Sequence, residues 1–254
     1  MRTALVLARK EVLEILRTWR LYVLPSIMLL FAATGPLLAK YTPQLLGAVA
    51  GGQLGSLHLP EPTVFDSYGQ WIKNLSQLVL FALIIMYGGI VSTERRSGTA
   101  VLVLTKPASR GAFVLVKAVV HALYVMVLLI ACTFVTWGLS AVLFPTAPGG
   151  PLWSAALVWL VLAVAYLSLM TLFSVLIPSA AGASGAGLGA FVVLSVGGLW
   201  KPLSDYSPAG LLGRAASIAG GDSAGFPFLP VATALVMSVA AVGLAATIFR
   251  RKEL

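Results

Sequence analysis

Six stretches of the chain, at about 21–40, 74–92, 118–144, 152–177, 183–200 and 227–249, are apolar nearly throughout and carry no charged residue except Lys40 at the rim of the first. A bilayer core about 30 Å thick takes roughly 20 helical residues per crossing, so each stretch is long enough to span it. Backbone amides are satisfied in hydrocarbon only inside a helix or a closed barrel, and apolar runs of this length without alternation predict helices. Composition agrees: of 254 residues 59% are apolar and 10% charged, with a mean hydropathy of +0.97, whereas soluble domains carry about 25% charge. The chain reads as an all-α membrane protein with a single transmembrane domain over 1–254 and no room for a large soluble catalytic domain.

Six crossings put both ends on one side. If that side is the cytoplasm, the inner segments hold thirteen basic residues, and the outer ones hold only Lys40, Lys73, Lys201 and Arg214. Basic residues favour the cytoplasmic side, so both termini and the 93–117 loop are expected there. The net charge of +9 follows from this distribution. Nucleic acid is not an expected partner, because the cations are spread around apolar runs and form no soluble basic face. Tyr41, Tyr68, Trp71, Trp200 and Tyr206 fall near the predicted outer boundary, and Trp19, Tyr22 and Phe249 near the inner one, where amphipathic rings are favoured.

Residues 1–20 place Leu5, Ala8, Val12, Ile15, Leu16 and Trp19 at helical spacing, with Arg9, Lys10, Glu14 and Arg17 mostly on the other side. This predicts an amphipathic helix along the inner leaflet. Glu11, Glu14 and the lack of a clear A-x-A site argue against a cleaved signal peptide. The two long outer loops, 41–73 and 201–226, contain apolar pieces, Leu45 to Val49 and Ala209 to Ile218, expected to form short helices at the outer leaflet.

Several chemistries are poorly served. None of the seven lysines follows a glycine, so there is no Walker A phosphate loop. Cys132 is the one cysteine, which excludes an internal disulfide and a CxxC site. His58 and His121 fall on opposite sides of the predicted topology, so no metal site is expected. His121 shares a helix face with Lys117 at i+4 and reads either as a packing residue or as a functional intramembrane polar group. Gly182-Ala183-Ser184-Gly185 in a six-span chain resembles a rhomboid intramembrane protease, yet no histidine follows His121 to serve as base. Close helix packing at Gly185 and Gly189 is the better reading of that stretch.

The segment Ser92–Lys117 begins polar, becomes a short apolar run, breaks at Pro107 and resumes into the third span. Glu94, Gly98-Thr99, Val101 to Leu104, Pro107, Arg110 and Lys117 match in order and spacing the loop of the permease family of type-2 ATP-binding-cassette (ABC) transporters. Ala8-Arg9-Lys10-Glu11 with Arg17-Thr18-Trp19-Arg20 is similar to that family's elbow helix, and Phe249-Arg250-Arg251-Lys252 to its ending. Gly51-Gly52-Gln53-Leu54-Gly55 is similar to a loop of the permease serving nitrous-oxide reductase maturation.

The resemblance implies a type-2 permease fold in a bacterial cell membrane, pairing with a second copy as a homodimer above two separately encoded ATP-binding subunits. It implies contact with those subunits through Arg9, Lys10 and Glu11 of the elbow and through Glu94, Arg95, Arg96, Gly98, Thr99, Lys106, Pro107 and Arg110 of the loop. Glu94 would pair with Arg95, Arg96 or a basic residue of the ATP-binding subunit. The second and fifth spans of the two copies would face each other, with Gly185 and Gly189 near the two-fold axis. ATP and Mg²⁺ would sit on the partner, with no cofactor on this chain and no catalysis by it. Few charges within the spans favour export of an amphipathic or apolar solute such as a drug, lipid or peptide. The alternatives are a mechanical subunit acting on an extracytoplasmic protein and, more distantly, an intramembrane serine protease.

Overall fold

Apolar runs without a strand period fold as helices, and a computed structural model describes them over residues 2–49, 61–99, 109–222 and 225–252. The helices are α1 (Arg2–Arg17), α2 (Arg20–Val49), α3 (Val64–Asn74), α4 (Leu80–Tyr87), α5 (Ser92–Arg96), α6 (Arg110–Leu143), α7 (Gly149–Leu176), α8 (Ala180–Gly197), α9 (Lys201–Tyr206), α10 (Leu211–Ala219) and α11 (Phe228–Arg251). Among the described residues there is no strand, and six helical segments are long and apolar enough to cross a membrane. The fold is all-α.

The second crossing runs from Val64 to Arg96, with a π-helical turn at Leu75–Val79 joining α3 to α4. It begins well before the apolar run at 74 because α3 is amphipathic. Tyr68, Trp71 and Ile72 are buried, while Asp66, Gln70 and Lys73 dilute its hydropathy. The Asp66 carboxylate accepts from Thr63 N and Oγ1 at 2.7 and 2.9 Å, which satisfies one orphan amide at the helix start. The third crossing likewise starts at Arg110, where Ser109 Oγ accepts from Ala112 N at 3.1 Å.

Two polar contacts repair breaks in the backbone ladder. Pro36 cannot donate to the carbonyl of Ala32 one turn earlier, and Thr136 Oγ1 of α6 shares its proton between that oxygen at 3.3 Å and Cys132 O of its own helix at 3.2 Å. Between α4 and α5 the helix is interrupted at 88–91, and Ser174 Oγ of α7 accepts from Val91 N and Ser92 N at 2.9 and 3.0 Å. That second contact sets the direction of α5 and of Glu94 on it.

At the centre, α7 packs against α6, α8, α10 and α11 and buries Trp159 and Tyr166 completely. The 201–226 segment folds back: α10 buries Leu211, Ala215, Ile218 and Ala219 against α7 and α3. The expected Ala209–Ile218 helix is present, whereas Leu45 to Val49 continues α2 and forms no separate helix. Arg110 Nη1 donates to Lys252 O at 2.6 Å, and Lys10 Nζ lies 2.8 Å from Glu94 Oε1. The first helix, the end of α5, the start of α6 and the end of α11 therefore share one end of the bundle, here the chain-end side. Tyr41, Trp200, Tyr206, Trp19 and Tyr22 are exposed near the two boundaries, but Tyr68, Trp71 and Phe249 are fully buried and serve packing instead.

Candidate functional site

Lys117 lies two turns into α6 and is 0% exposed. An ammonium in apolar surroundings is tolerable only when paired, and two carboxylates meet it: Glu11 Oε2 of α1 at 2.7 Å and Glu94 Oε1 of α5 at 2.6 Å. A second ammonium, Lys10 Nζ, lies 3.0 Å from Glu11 Oε1, 2.7 Å from Glu14 Oε2 and 2.8 Å from Glu94 Oε1. Arg20 Nη1 closes the set at 3.4 Å from Glu14 Oε1. Three carboxylates thus meet three cations, and the cluster is neutral. The Phe113 ring lies under both ammoniums, with centroid distances of 5.9 and 5.4 Å, and stacks on Phe249 of α11. Five helices, α1, α2, α5, α6 and α11, meet here.

One turn further into the bundle, His121 extends the site. Its Nδ1 is 3.2 Å from the Tyr87 hydroxyl, and the two rings pack edge to face. Its Nε2 is 3.7 Å from Glu11 Oε2, beyond hydrogen-bond reach. Tyr124 Oη donates to Arg20 O at 2.9 Å, tying α6 to the start of α2.

Electrostatics in α1 follow from these contacts. Burial alone would raise the Glu11 carboxyl, but the Lys117 and Lys10 ammoniums beside it reverse this and hold it below the usual carboxylate range. Glu14 is lowered in the same sense, with Lys117 and Lys10 overcoming its burial. Burial would lower Lys10, yet its hydrogen bonds to Glu14 and Glu94 raise it. All three groups are charged at neutral pH. Glu11, Glu14 and Glu94 bring oxygens within 4.8 Å of one another, but the two ammoniums already occupy the space a metal ion would take, so the cluster reads as a fastening.

Of the expected apolar stripe, Leu5, Val12 and Leu16 of α1 and Trp19 just beyond it are exposed, as a helix lying against lipid requires, whereas Ala8 is half-buried and Ile15 is buried against the bundle. On the charged side Lys10, Glu11 and Glu14 turn inward, while Arg17 is exposed. Glu11 is 2% exposed and held inside the chain by Lys117. Arg9 stays exposed. Glu94 pairs with Lys10 and Lys117 and with neither Arg95 nor Arg96, since adjacent positions on a helix do not face each other. Arg96 Nη2 instead donates to Pro178 O at 2.9 Å. Gly98 ends α5 with φ +72°, a left-handed conformation natural to glycine. The exposed Thr99 donates through Oγ1 to Glu94 O at 3.2 Å. Arg110 holds the end of α11. Lys106, Pro107, His58 and the Gly51–Gly55 loop lie outside the described residues.

Gly185 and Gly189 are exposed, with open space where a side chain would extend. The close approach within the chain is made by their neighbour Gly187, where a Cβ would press on Met170 Sδ and on Ile84 Cγ2. Ser184 Oγ donates to Ile85 O at 3.2 Å and packs on Gly88, a structural role. Sequence reasoning missed Glu14, Arg20, Tyr87, Tyr124 and Phe113 at the cluster. Lys10, Glu11 and Glu94 were singled out through the resemblance and Lys117 through the face it shares with His121, but not as partners of one another.

A sequence family described as "Protein of unknown function (DUF2705)" matches residues 61–254. A protein of Stutzerimonas stutzeri named "Probable ABC transporter permease protein NosY" is 38% identical over 123 residues, which cover 46% of this chain and 38% of that relative. The match thus spans well under half of the relative's length.

Proposed function

The chain belongs to the DUF2705 family, and from that premise we propose that it is the membrane-spanning permease subunit of an ABC transporter driven by a separate ATP-binding subunit. The similarity to a protein named as such a permease supports this reading. The observation that carries the mechanism is the fully buried Lys117, shared between Glu11 of α1 and Glu94 of α5.

A soluble motor beneath the membrane can act only on what it touches, and the exposed candidates among the described residues are Arg9, Arg96 and Thr99. The ion cluster joins α1, the end of the second span and the start of the third into one body, so a push there reaches both spans together. The chain-end side, with its excess of basic residues, is the cytoplasmic side in this reading. Two copies pair through α8, whose Gly185–Gly189 face is open. The solute is amphipathic or apolar and is exported, because among the described residues the one fully buried charge within the spans, Lys117, is neutralised in the cluster.

Isolation of the complex from native membranes, with every bound chain identified, should recover an ATP-binding subunit; its absence refutes the reading. In reconstituted vesicles Glu94→Ala and Gly98→Val should leave assembly intact and abolish most of the permease's effect on the partner's ATPase. Glu94→Lys should be worse, because it sets a third cation against Lys10 and Lys117. Wild-type coupling in all three variants would place the contact elsewhere. A stoichiometric extracytoplasmic protein in the isolated complex, with no solute dependence of the ATPase, would favour the mechanical role over export.

A further inference from the structure

On the lipid-facing side of the bundle, away from the open α8 face, α6, α7 and α11 leave a groove of about 370 Å³, within the roughly 300–1,000 Å³ range of ligand sites. Leu115, Val119 and Ala122 of α6 form one wall, Val239 and Gly243 of α11 the other, and Leu167 of α7 the floor. Ser168 and Ser238 also line it, but each donates to a carbonyl of its own helix, Val164 O at 2.8 Å and Ala234 O at 2.7 Å. The lining therefore offers hydrocarbon and no free hydroxyl proton. Leu115, Val119 and Val239 are 52, 48 and 75% exposed, so the groove opens to the surrounding membrane.

The two walls continue toward the chain-end side on the same helix faces. Gly111, Leu115, Ala118 and Ala122 stand at i, i+4, i+7 and i+11 on α6, and Val239, Gly243 and Arg250 at i, i+4 and i+11 on α11. They converge: a Cβ at Gly111 would lie 2.6 Å from Arg250 Nε and 2.8 Å from Arg250 Nη2. The absence of a side chain at 111 thus lets the guanidinium lie across α6 at the mouth of the groove. The seven residues from Gly243 to Arg250 rise about 10 Å along the axis, a span that separates the acyl region from the headgroup layer. Arg250 is exposed and makes no ion pair among the described residues, while Arg110 beside it is engaged with Lys252 O.

We propose that this groove holds an acyl chain of one anionic phospholipid whose phosphate is bound by Arg250. Charge complementarity selects this occupant. A lipid without a phosphate would fill the apolar walls without using the guanidinium, a zwitterionic one would bring its own ammonium beside the cation and so gain less from it, and a polar solute would find no partner in the walls. The site is independent of what the protein transports.

The test is lipid retention by the full chain in detergent micelles, read by native mass spectrometry with dioleoylphosphatidylglycerol and dioleoylphosphatidylcholine as probes. Wild type should retain one phosphatidylglycerol with about fivefold preference over phosphatidylcholine, the size expected for one cation near a lipid surface. Arg250→Gln should remove the preference. Gly111→Ala should do the same by displacing the guanidinium, with all cations retained. Gly243→Leu should lower retention of both lipids severalfold; a side chain at 243 enters open space, and unchanged thermal unfolding verifies the fold. Equal retention of both lipids by wild type, a preference that survives Arg250→Gln, or full competition by glycerol 3-phosphate would each overturn the proposal.

Discussion

Replacing Lys117 by methionine keeps the length and apolar stem of the side chain and removes its charge. Its ammonium touches two carboxylates at 2.7 and 2.6 Å with no exposure. At about 3 Å and an effective dielectric of about 20, one such pair is worth roughly 5 kcal/mol before desolvation is subtracted. Most of that is offset by taking the ions out of water, so the intact pair contributes little net stability. Breaking it is different: Glu11, 2% exposed, is left with a share of Lys10, and the cluster acquires a net charge of about −1. Loss of one partner from a buried pair costs about 3–5 kcal/mol, and that is the expected destabilisation of Lys117→Met. Glu11→Gln/Lys117→Met restores neutrality and should lose only about 1–2 kcal/mol, which implies a coupling of about 2 kcal/mol or more between the two sites. Equilibrium unfolding in mixed micelles, followed by tryptophan fluorescence for the wild type, both single variants and the double variant, measures this. A coupling under about 0.5 kcal/mol, the value for sites that act independently, would refute the claim that Lys117 is buried for the sake of Glu11.

Three further outcomes follow from the same geometry. Gly187→Leu should destabilise the chain by about 1–3 kcal/mol through overpacking on Met170 and Ile84, while Gly185→Leu and Gly189→Leu should leave unfolding within about 0.5 kcal/mol and weaken self-association; unfolding and cross-linking run side by side would expose the opposite order. The contribution of Glu11, whose pKa is depressed on folding, should be complete above its unfolded value of about 4.3 and fade as pH falls below it. Lys10, whose pKa is raised, should contribute fully below about 10.4 and lose that contribution at higher pH; melting against pH gives both limbs, and Glu11→Gln should flatten the acid one. With Cys132 replaced by alanine, single cysteines at 97 and 56 should be labelled from opposite sides of the membrane, 97 from the cytoplasm, and labelling of 97 from outside would reverse the topology.

The chain announces its crossings because the requirement is local. A helix must keep apolar length against lipid, and that length is written in consecutive residues wherever Leu, Val, Ala and Phe run uninterrupted. Where a crossing is amphipathic the message weakens: α3 packs Tyr68 and Trp71 on its neighbours but carries Asp66, Gln70 and Lys73 on the other side, so hydropathy alone starts the second span late. The candidate site was half legible. Glu94, Lys10 and Glu11 stood out through the resemblance to the permease loop and elbow, and Lys117 through the face it shares with His121, but their pairing with one another did not.

Sequence by itself determined that this protein is helical, that it crosses a membrane six times, and that its basic residues gather at the end where the chain begins and finishes. Only the tertiary structure decided that Glu11 and Lys117, 106 residues apart, neutralise each other and that Gly187, two places from Gly185, is the glycine pressed into the bundle. It also decided that Thr136 repairs the carbonyl freed by Pro36. The physical reason is common to all three. Burial against lipid depends on what a residue is and on its immediate neighbours, whereas pairing a buried charge, a small side chain or an orphaned carbonyl depends on which other helix comes within 3–4 Å, and that is set by the packing of the whole bundle.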